Sequence, residues 1–385
     1  MYPPMTLALN QSSSLCDDPA LISLRERRDA GVLRAALNAV LRVYPRLPLP
    51  GCGQTLERWR ALQAVAAVDL VLAKLAEPHW DAQAILADCF DGAESAAVAA
   101  ANALVQSGHD ASARAGNILD NDAGTGAIHA RLWAVWASEP PDARVTGHHG
   151  RDSLHLTGRK AWCSGAALAS HALVSYWDGQ GRACLAAVAL NAPGVSIGDT
   201  GWHAVGMDAT ASTDVHFDHT PAIMVGEPGQ YLARPGFWHG GMGIAACWLG
   251  ACVALAQRVA GAQAGCADSP VSKRVDPHAQ AHLGAIDVAV SQAQALMRET
   301  ANWVDAHPHA DATVAATRIR SAAEHCATEV LRHAARALGA APMCREAVTA
   351  RLFADLPVFI RQSHAERDLA SLAAAFDPSE TPWVL

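Results

Sequence analysis

Over the first 127 residues, apolar side chains recur at the spacing of helices that bury one face. Asp17-Asp18-Pro19 offers an N-cap with proline just inside the first turn, and Leu, Val and Ala recur from there to about Val43. Pro45, Pro48 and Pro50, with Gly51 and Gly53, stop that helix. Thr55 caps the next, which runs through Trp59, Leu62, Ala66, Leu70 and Ala73. Further helices are expected over 81–89 and the alanine-rich 94–105, followed by a Gly-, Asp- and Asn-rich loop over 106–126.

The period then changes. Leu154-His155-Leu156-Thr157-Gly158 alternates and turns, and runs of strand length occupy 172–177, 183–190 and 214–217. Asp178-Gly179 and Pro193-Gly194 mark turns between them. Helical spacing returns after Pro235. Asp276-Pro277 starts a helix whose apolar positions include Leu283, Ile286, Val290, Met297 and Val304, and Pro308 ends it. Another spans about 311–338, stopped by Gly339 and Pro342, and a last pair covers roughly 345–376. The expected fold class is therefore α+β. It has an N-terminal helical domain over 1–127, a small antiparallel β domain over 128–230, and a C-terminal helical bundle over 231–385.

Composition narrows the partners. Of 385 residues, 51% are hydrophobic and 17% charged, enough apolar surface to exclude disorder as the main state. A net charge of −8 with no long Lys/Arg run argues against nucleic acid. The apolar runs are broken too often by polar residues to predict a membrane span. Met1-Tyr2-Pro3-Pro4-Met5 has no basic segment leading into an apolar one, so no cleaved signal is expected, and a cytoplasmic location follows. The ten cysteines include no C-x-x-C pair, and Cys247 and Cys252 are spaced poorly for one helical face. They read as buried small hydrophobes in a reducing compartment. His278 and His282 have helical metal-ligand spacing but no third ligand nearby, so no metal is expected.

Two strings carry sharper chemistry: Ala137-Ser138-Glu139-Pro140, and Gly158-Arg159-Lys160-Ala161-Trp162-Cys163-Ser164-Gly165. Pro193-Gly194-Val195, then Gly206-Met207-Asp208-Ala209-Thr210-Ala211-Ser212, then Val225-Gly226-Glu227-Pro228-Gly229 follow in order. This succession resembles the acyl-CoA dehydrogenase family, with its Thr/Ser-Glu-Pro, Gly-x-Lys-x-[Trp/Phe]-x-[Thr/Ser] and Gly-Met-x-x-[Ser/Thr] stretches. The segment 70–85, broken at Pro78, fits the family's N-terminal helices less specifically. The resemblance covers nearly the whole chain and is most specific between 137 and 229. It implies a flavoprotein that uses FAD. Trp162 would pack against the isoalloxazine ring, Ser138 and Ser164 would bond its polar edge, and Ala137 would lie beside them. It also implies a homodimer or homotetramer acting on a small molecule or acyl thioester.

Several positions depart from the family pattern. Lys273 and Arg274 supply a cation for a pyrophosphate, but the Gly-Gly-x-Gly loop is reduced to Gly339-Ala340-Ala341-Pro342. The family's base is a glutamate. The two places where it is found correspond here to Ser363-His364-Ala365 and to His239-Gly240-Gly241, and neither holds a carboxylate. His364 suits proton transfer near neutral pH. Ser363 would need an activating partner. His239 sits in a small-residue stretch, beside Phe237 and Trp238, that could open space beside the flavin. Three readings stay open. One is an FAD-dependent oxidoreductase acting on CH–CH groups with an atypical or absent base. The second is a flavin-dependent monooxygenase or oxidase on the same fold, in which His364 or Ser363 positions the oxygen or the substrate. The third is a non-catalytic scaffold.

Overall fold

The computed structural model describes residue 15 and residues 17–89, 132–150, 153–199, 201–267 and 276–375. The expected helix over 94–105, the loop after it, and Lys273 and Arg274 lie outside the described residues.

Among the described residues, the first complete helix is α1 (Pro19–Glu26), where the Ala20 N–H donates to the Asp18 carboxylate at 2.9 Å. The single helix expected up to Val43 is two, because Asp29 caps a new one, α2 (Ala30–Val43). Between them Arg28 turns inward to lie 2.6 Å from Asp69 and 2.7 Å from Asp355, all three side chains nearly buried. A charge pulled into the core outweighs the local preference to continue the helix. Next come α3 (Thr55–Val68) and α4 (Leu70–Cys89). Their break falls at Asp69, which accepts from the Leu72 N–H at 2.9 Å, and not at Pro78, which is carried inside α4.

The middle of the chain supplies β1 (Trp133–Trp136), β2 (Val145–His149), β3 (Leu154–Cys163), β4 (His171–Trp177), β5 (Ala183–Ala189), β6 (Val195–Ile197) and β7 (Thr213–Met224). Hydrogen bonding runs β4-β2-β3-β7-β5 and back to β4, so five strands close into a small barrel, with β1 added to β4 and β6 to β7. The sheet is mixed, which corrects the antiparallel expectation. β1 pairs with β4 in parallel, and β2 meets β4 in parallel at Thr146 and Trp177. Closure removes the sheet edges that an open sheet of this size would expose. Gly158 does not end its strand. Its φ of +126° forms a bulge where a Cβ would lie 2.2 Å from the Arg144 carbonyl, and β3 continues to Cys163.

The remaining helices are α5 (Gln230–Ala233), α6 (Pro235–Ala267), α7 (Pro277–Ala306), α8 (Thr313–Leu338), α9 (Ala340–Arg345), α10 (Ala347–Phe359) and α11 (Glu366–Ala374). Helix α6 is long and apolar enough to cross a membrane, but 72% of that window is buried within the protein, the placement of a core helix. One hydrophobic core joins helices from both ends of the chain, from Leu21 and Leu62 through Trp248 to Ile319 and Leu356. The barrel has a core of its own around Val145, Leu156, Val174, Val188 and Phe217.

Candidate active site

The two motif strings meet at one end of the barrel. Glu139 accepts from the Lys160 ammonium, from the Ser175 hydroxyl, and from the Trp177 indole N–H at 3.1 Å. Lys160, 1% exposed, also donates to the Ser175 carbonyl at 3.1 Å. The acid and the base of the two motifs therefore hold each other, and neither is free for a ligand. Between Lys160 and Cys163 the register of β3 against β7 shifts. Trp162 sits in that shift with φ +59° and its indole 58% exposed, while Ala161 and Cys163 on either side are buried. A left-handed tryptophan that turns its ring out of a strand is a strained arrangement, expected where a function maintains it.

Two residues after Trp162, Ser164 begins a hydroxyl chain. Ser164 and Ser212 oxygens are 2.7 Å apart, Ser212 and Thr210 2.9 Å, and Thr210 donates to the Met207 carbonyl. The Trp136 indole N–H donates to the Ser164 carbonyl at 3.2 Å, which ties the end of β1 to the end of β3. Ala137 and Ser138 follow directly on β1, half-buried. The Ser138 hydroxyl has no hydrogen-bond partner among the described residues.

Ala137 is also part of the wall of a cavity of about 320 Å³ where α4, β1 and the C-terminal helices converge. Lys74, Glu77, Pro78 and Asp81 of α4 form one side of it. Tyr231, Phe237, Trp238 and Ile244 form an aromatic and apolar side, with Tyr231 on Phe237 and Phe237 on Trp238 edge to face at 5.4 and 5.3 Å. Arg320, Gln362, His364 and Asp368 complete the rim. Arg320 donates to the carbonyls of Gly241 and Gln362 at 2.8 and 2.7 Å and lies over the Trp248 ring.

The charged residues on α4 are in a different situation. Lys74, Glu77 and Asp81 form no hydrogen bond or ion pair among the described residues. Burial, helped by the charge of Asp81, pushes the Glu77 carboxyl up to about 7. Burial also raises Asp81 and lowers the Lys74 ammonium. Gly240 makes room for Asp81, since a Cβ there would lie 2.6 Å from the Asp81 carboxylate. Within the small-residue stretch at 239–241, Gly240 thus opens space for a side chain of α4.

The expected catalytic residues separate. His364 reaches the rim, 66% exposed, with Nδ1 3.3 Å from Asp368. Ser363 is buried, donates to Glu324 at 2.8 Å and accepts from the Ala365 N–H at 3.1 Å, so its hydroxyl closes a turn and does not line the cavity. His239 is 3% exposed and does not line the cavity either. Its ring lies toward Gly51, Nε2 has no partner, and burial lowers its pKa. Phe237, Trp238 and Gly240 face the cavity from the same helix, whereas His239 does not. Gly339 caps α8 with φ +68°, its N–H donating to the Ala335 carbonyl, and has open space around it. Lys74, Glu77 and Asp81 were missed. Their signal was present as three charges at helical spacing on one face of an otherwise apolar segment, 70–86.

A helical layer, a small closed barrel and a helical bundle in this order define the acyl-CoA dehydrogenase-like fold. Superposition on solved structures bears this out. The chain is similar to TdsC of Paenibacillus sp. A11-2 in complex with FMN and indole, at 19% identity and a TM-score of 0.74, over 97% of this chain and 98% of that one. TdsC is described as a dibenzothiophene monooxygenase. KijD3 in complex with FMN and a dTDP-linked amino-keto sugar matches at 17% identity and 0.73, over 97% and 94% of the two chains. Methanesulfinate monooxygenase MsuC of Pseudomonas fluorescens matches at 16% and 0.69, over 99% and 98%. Comparison of the sequence with protein-family profiles and with curated proteins finds no match.

Proposed function

We propose that this chain is a flavin-dependent monooxygenase that oxidises a small molecule held in the cavity between α4 and α6. The observation that carries the reading is Trp162, a strained and outward-facing indole at the barrel end where Ala137 continues into the cavity wall. A tricyclic ring needs an aromatic wall, nearby hydroxyl or backbone donors, and a water-poor space on its reacting side. Trp162, the Ser138 and Ser164 hydroxyls and the aromatic cavity side fit those needs. Bound there, a reduced flavin would supply the electrons that activate dioxygen. Trp162 would cover the ring, Ser138 would bond its polar edge, and Tyr231, Phe237 and Trp238 would keep water from the substrate.

The mononucleotide FMN suits the chain better than FAD. The loop expected to approach an adenosine is here a helix cap: the Gly339 N–H is taken by Ala335, and α9 starts at the next residue. TdsC and KijD3, both crystallised with FMN, support the same choice. Oxygenation is favoured over dehydrogenation because Ser363-His364-Ala365 and His239-Gly240-Gly241 hold no carboxylate at the family's base positions, and neither Ser363, its partner Glu324, nor His239 lines the cavity. A dehydrogenase reading keeps one specific support, Glu77, a cavity carboxyl whose pKa of about 7 suits a base.

The test is to titrate the full-length protein with FMN, then supply NAD(P)H and a flavin reductase while oxygen uptake is followed in the presence of indole. FMN binding with substrate-dependent oxygen consumption supports the monooxygenase. Anaerobic bleaching of the bound flavin by an acyl-CoA thioester would replace it with the dehydrogenase. Failure to bind either FMN or FAD would refute both.

A further inference from the structure

The cavity has a polar side that the flavin reading leaves unused. Glu77 is 6% exposed and faces the cavity with no hydrogen-bond partner among the described residues, although nearly every buried carboxylate in a folded protein has one. Asp81, one helical turn further along α4, is half-buried, faces the same cavity and likewise has no hydrogen-bond partner among the described residues. Lys74 shares their face, yet no ion pair joins it to either, and its ammonium lies 5.8 Å from the centre of the Phe359 ring. Other cations nearby are engaged elsewhere. Arg320 is bound to two carbonyls, Arg58 donates to the Pro48 carbonyl, and Arg234 donates to Asp88 at 2.6 Å while its buried Nε has no partner. His364 is matched with Asp368. Two carboxylates therefore offer unfilled acceptor positions to the cavity, with Lys74, Arg58, Arg234 and Arg320 near enough to act on them by charge but hydrogen-bonded to neither among the described residues. Across from them stands the aromatic side of Tyr231, Phe237 and Trp238, whose ring faces favour a cation.

We propose that Glu77 and Asp81 form an ammonium-binding subsite, and that the cavity takes a small aromatic amine bound as its cation. The subsite supplies the hydrogen-bond acceptors and the counter-charge, and the aromatic side takes the ring. A volume of about 320 Å³ is at the lower end of small-molecule sites, room for a bicyclic ring with a short side chain. A bound ammonium also accounts for the unpaired carboxylates, because it stabilises the ionised form that burial resists. The proposal rests on the proposed function only in calling the ligand a substrate; binding itself needs no turnover.

Calorimetry on the full-length protein, with and without FMN, tests it using three probes that share a ring: tryptamine, indole and indole-3-acetate. Tryptamine is expected to bind about tenfold or more tightly than indole, the worth of a charge-assisted contact, with indole-3-acetate the weakest. Glu77→Gln and Asp81→Asn should each remove the tryptamine advantage while indole binding stays unchanged, which also shows that the variants fold. Lys74→Met should tighten tryptamine further by removing a competing cation. Equal binding of the three probes, or preferential binding of indole-3-acetate, overturns the proposal. So does a loss of tryptamine and indole together in both carboxylate variants. If FMN does not bind but the tryptamine preference holds, the subsite stands and the flavin reading falls.

Discussion

Trp162 and Glu77 each hold a conformation or charge state that the fold alone does not reward. Trp162 has a left-handed backbone and an exposed ring, so its side chain contributes little burial and some strain. Trp162→Gly is accordingly expected to leave stability unchanged or raise it by about 1 kcal/mol. The same change should weaken FMN binding about threefold to tenfold, the worth of an aromatic contact. Thermal unfolding and FMN titration on the one variant check both; a large loss of stability would mean that the indole is structural. Glu77 ionises near 4.5 in an unfolded chain and at about 7 in the folded protein. The native state thus binds its proton more tightly, and the penalty for ionising it is absent at low pH and grows as pH rises from 4.5 through 7. Glu77→Gln should therefore stabilise the protein at pH 8 by roughly 1–3 kcal/mol and hardly at all at pH 4, as read by urea unfolding. An equal effect at both pH values would show that the carboxyl is not held in that state.

At the scale of elements, the cavity depends on how closely α6 approaches α4. Gly240 is the contact point, because a methyl group there would come within 2.6 Å of the Asp81 carboxylate. Gly240→Ala should push that side chain out of place and cost about 1–3 kcal/mol, as overpacking does elsewhere. It should also abolish the tryptamine preference, measured by thermal unfolding and calorimetry. Pro78 acts on the same wall. It removes one backbone donor, leaving the Lys74 carbonyl without its helical partner, yet α4 runs unbroken to Cys89 because its other faces are packed on both sides. In β3 the bulges at Gly158 and Trp162 do comparable work. They lengthen the strand beyond its expected turn and aim one residue outward at the barrel end.

At the scale of the molecule, the helical segments from the two ends form one core, and Arg28 helps to lock them. Its guanidinium bridges Asp69, at the break between α3 and α4, to Asp355 in α10, which in turn accepts from the Met207 N–H of the barrel's loop at 2.6 Å. Arg28→Met should therefore cost on the order of 3–5 kcal/mol, since it leaves two buried carboxylates without their counter-charge. Denaturant unfolding checks the size of the loss. A change below about 1 kcal/mol would show that the bridge is a surface-like pair of little consequence.

The order of helices, strands and helices was legible from hydrophobic spacing, and the starts of α1 and α7 from Asp18 and Asp276, because caps and periodicity are local. The two motifs containing Ser138 and Trp162 stood out in the sequence, but the Trp136–Ser164 hydrogen bond that joins their ends and the outward turn of Trp162 came only with the folded chain. Which strands pair, that the sheet closes, and that α1 and α2 join one core with α6 and α8 depended on contacts between distant residues, which local propensity does not encode. The same holds for the site. Lys74, Glu77 and Asp81 share a face of α4 by spacing. Only the packing of α5, α6 and α8 around that face makes it a cavity wall, and only packing turned Ser363 and His239 away from it. A sequence sets which side chains can share a face; what lies opposite that face, and therefore what charge must be matched there, is decided when the helices close.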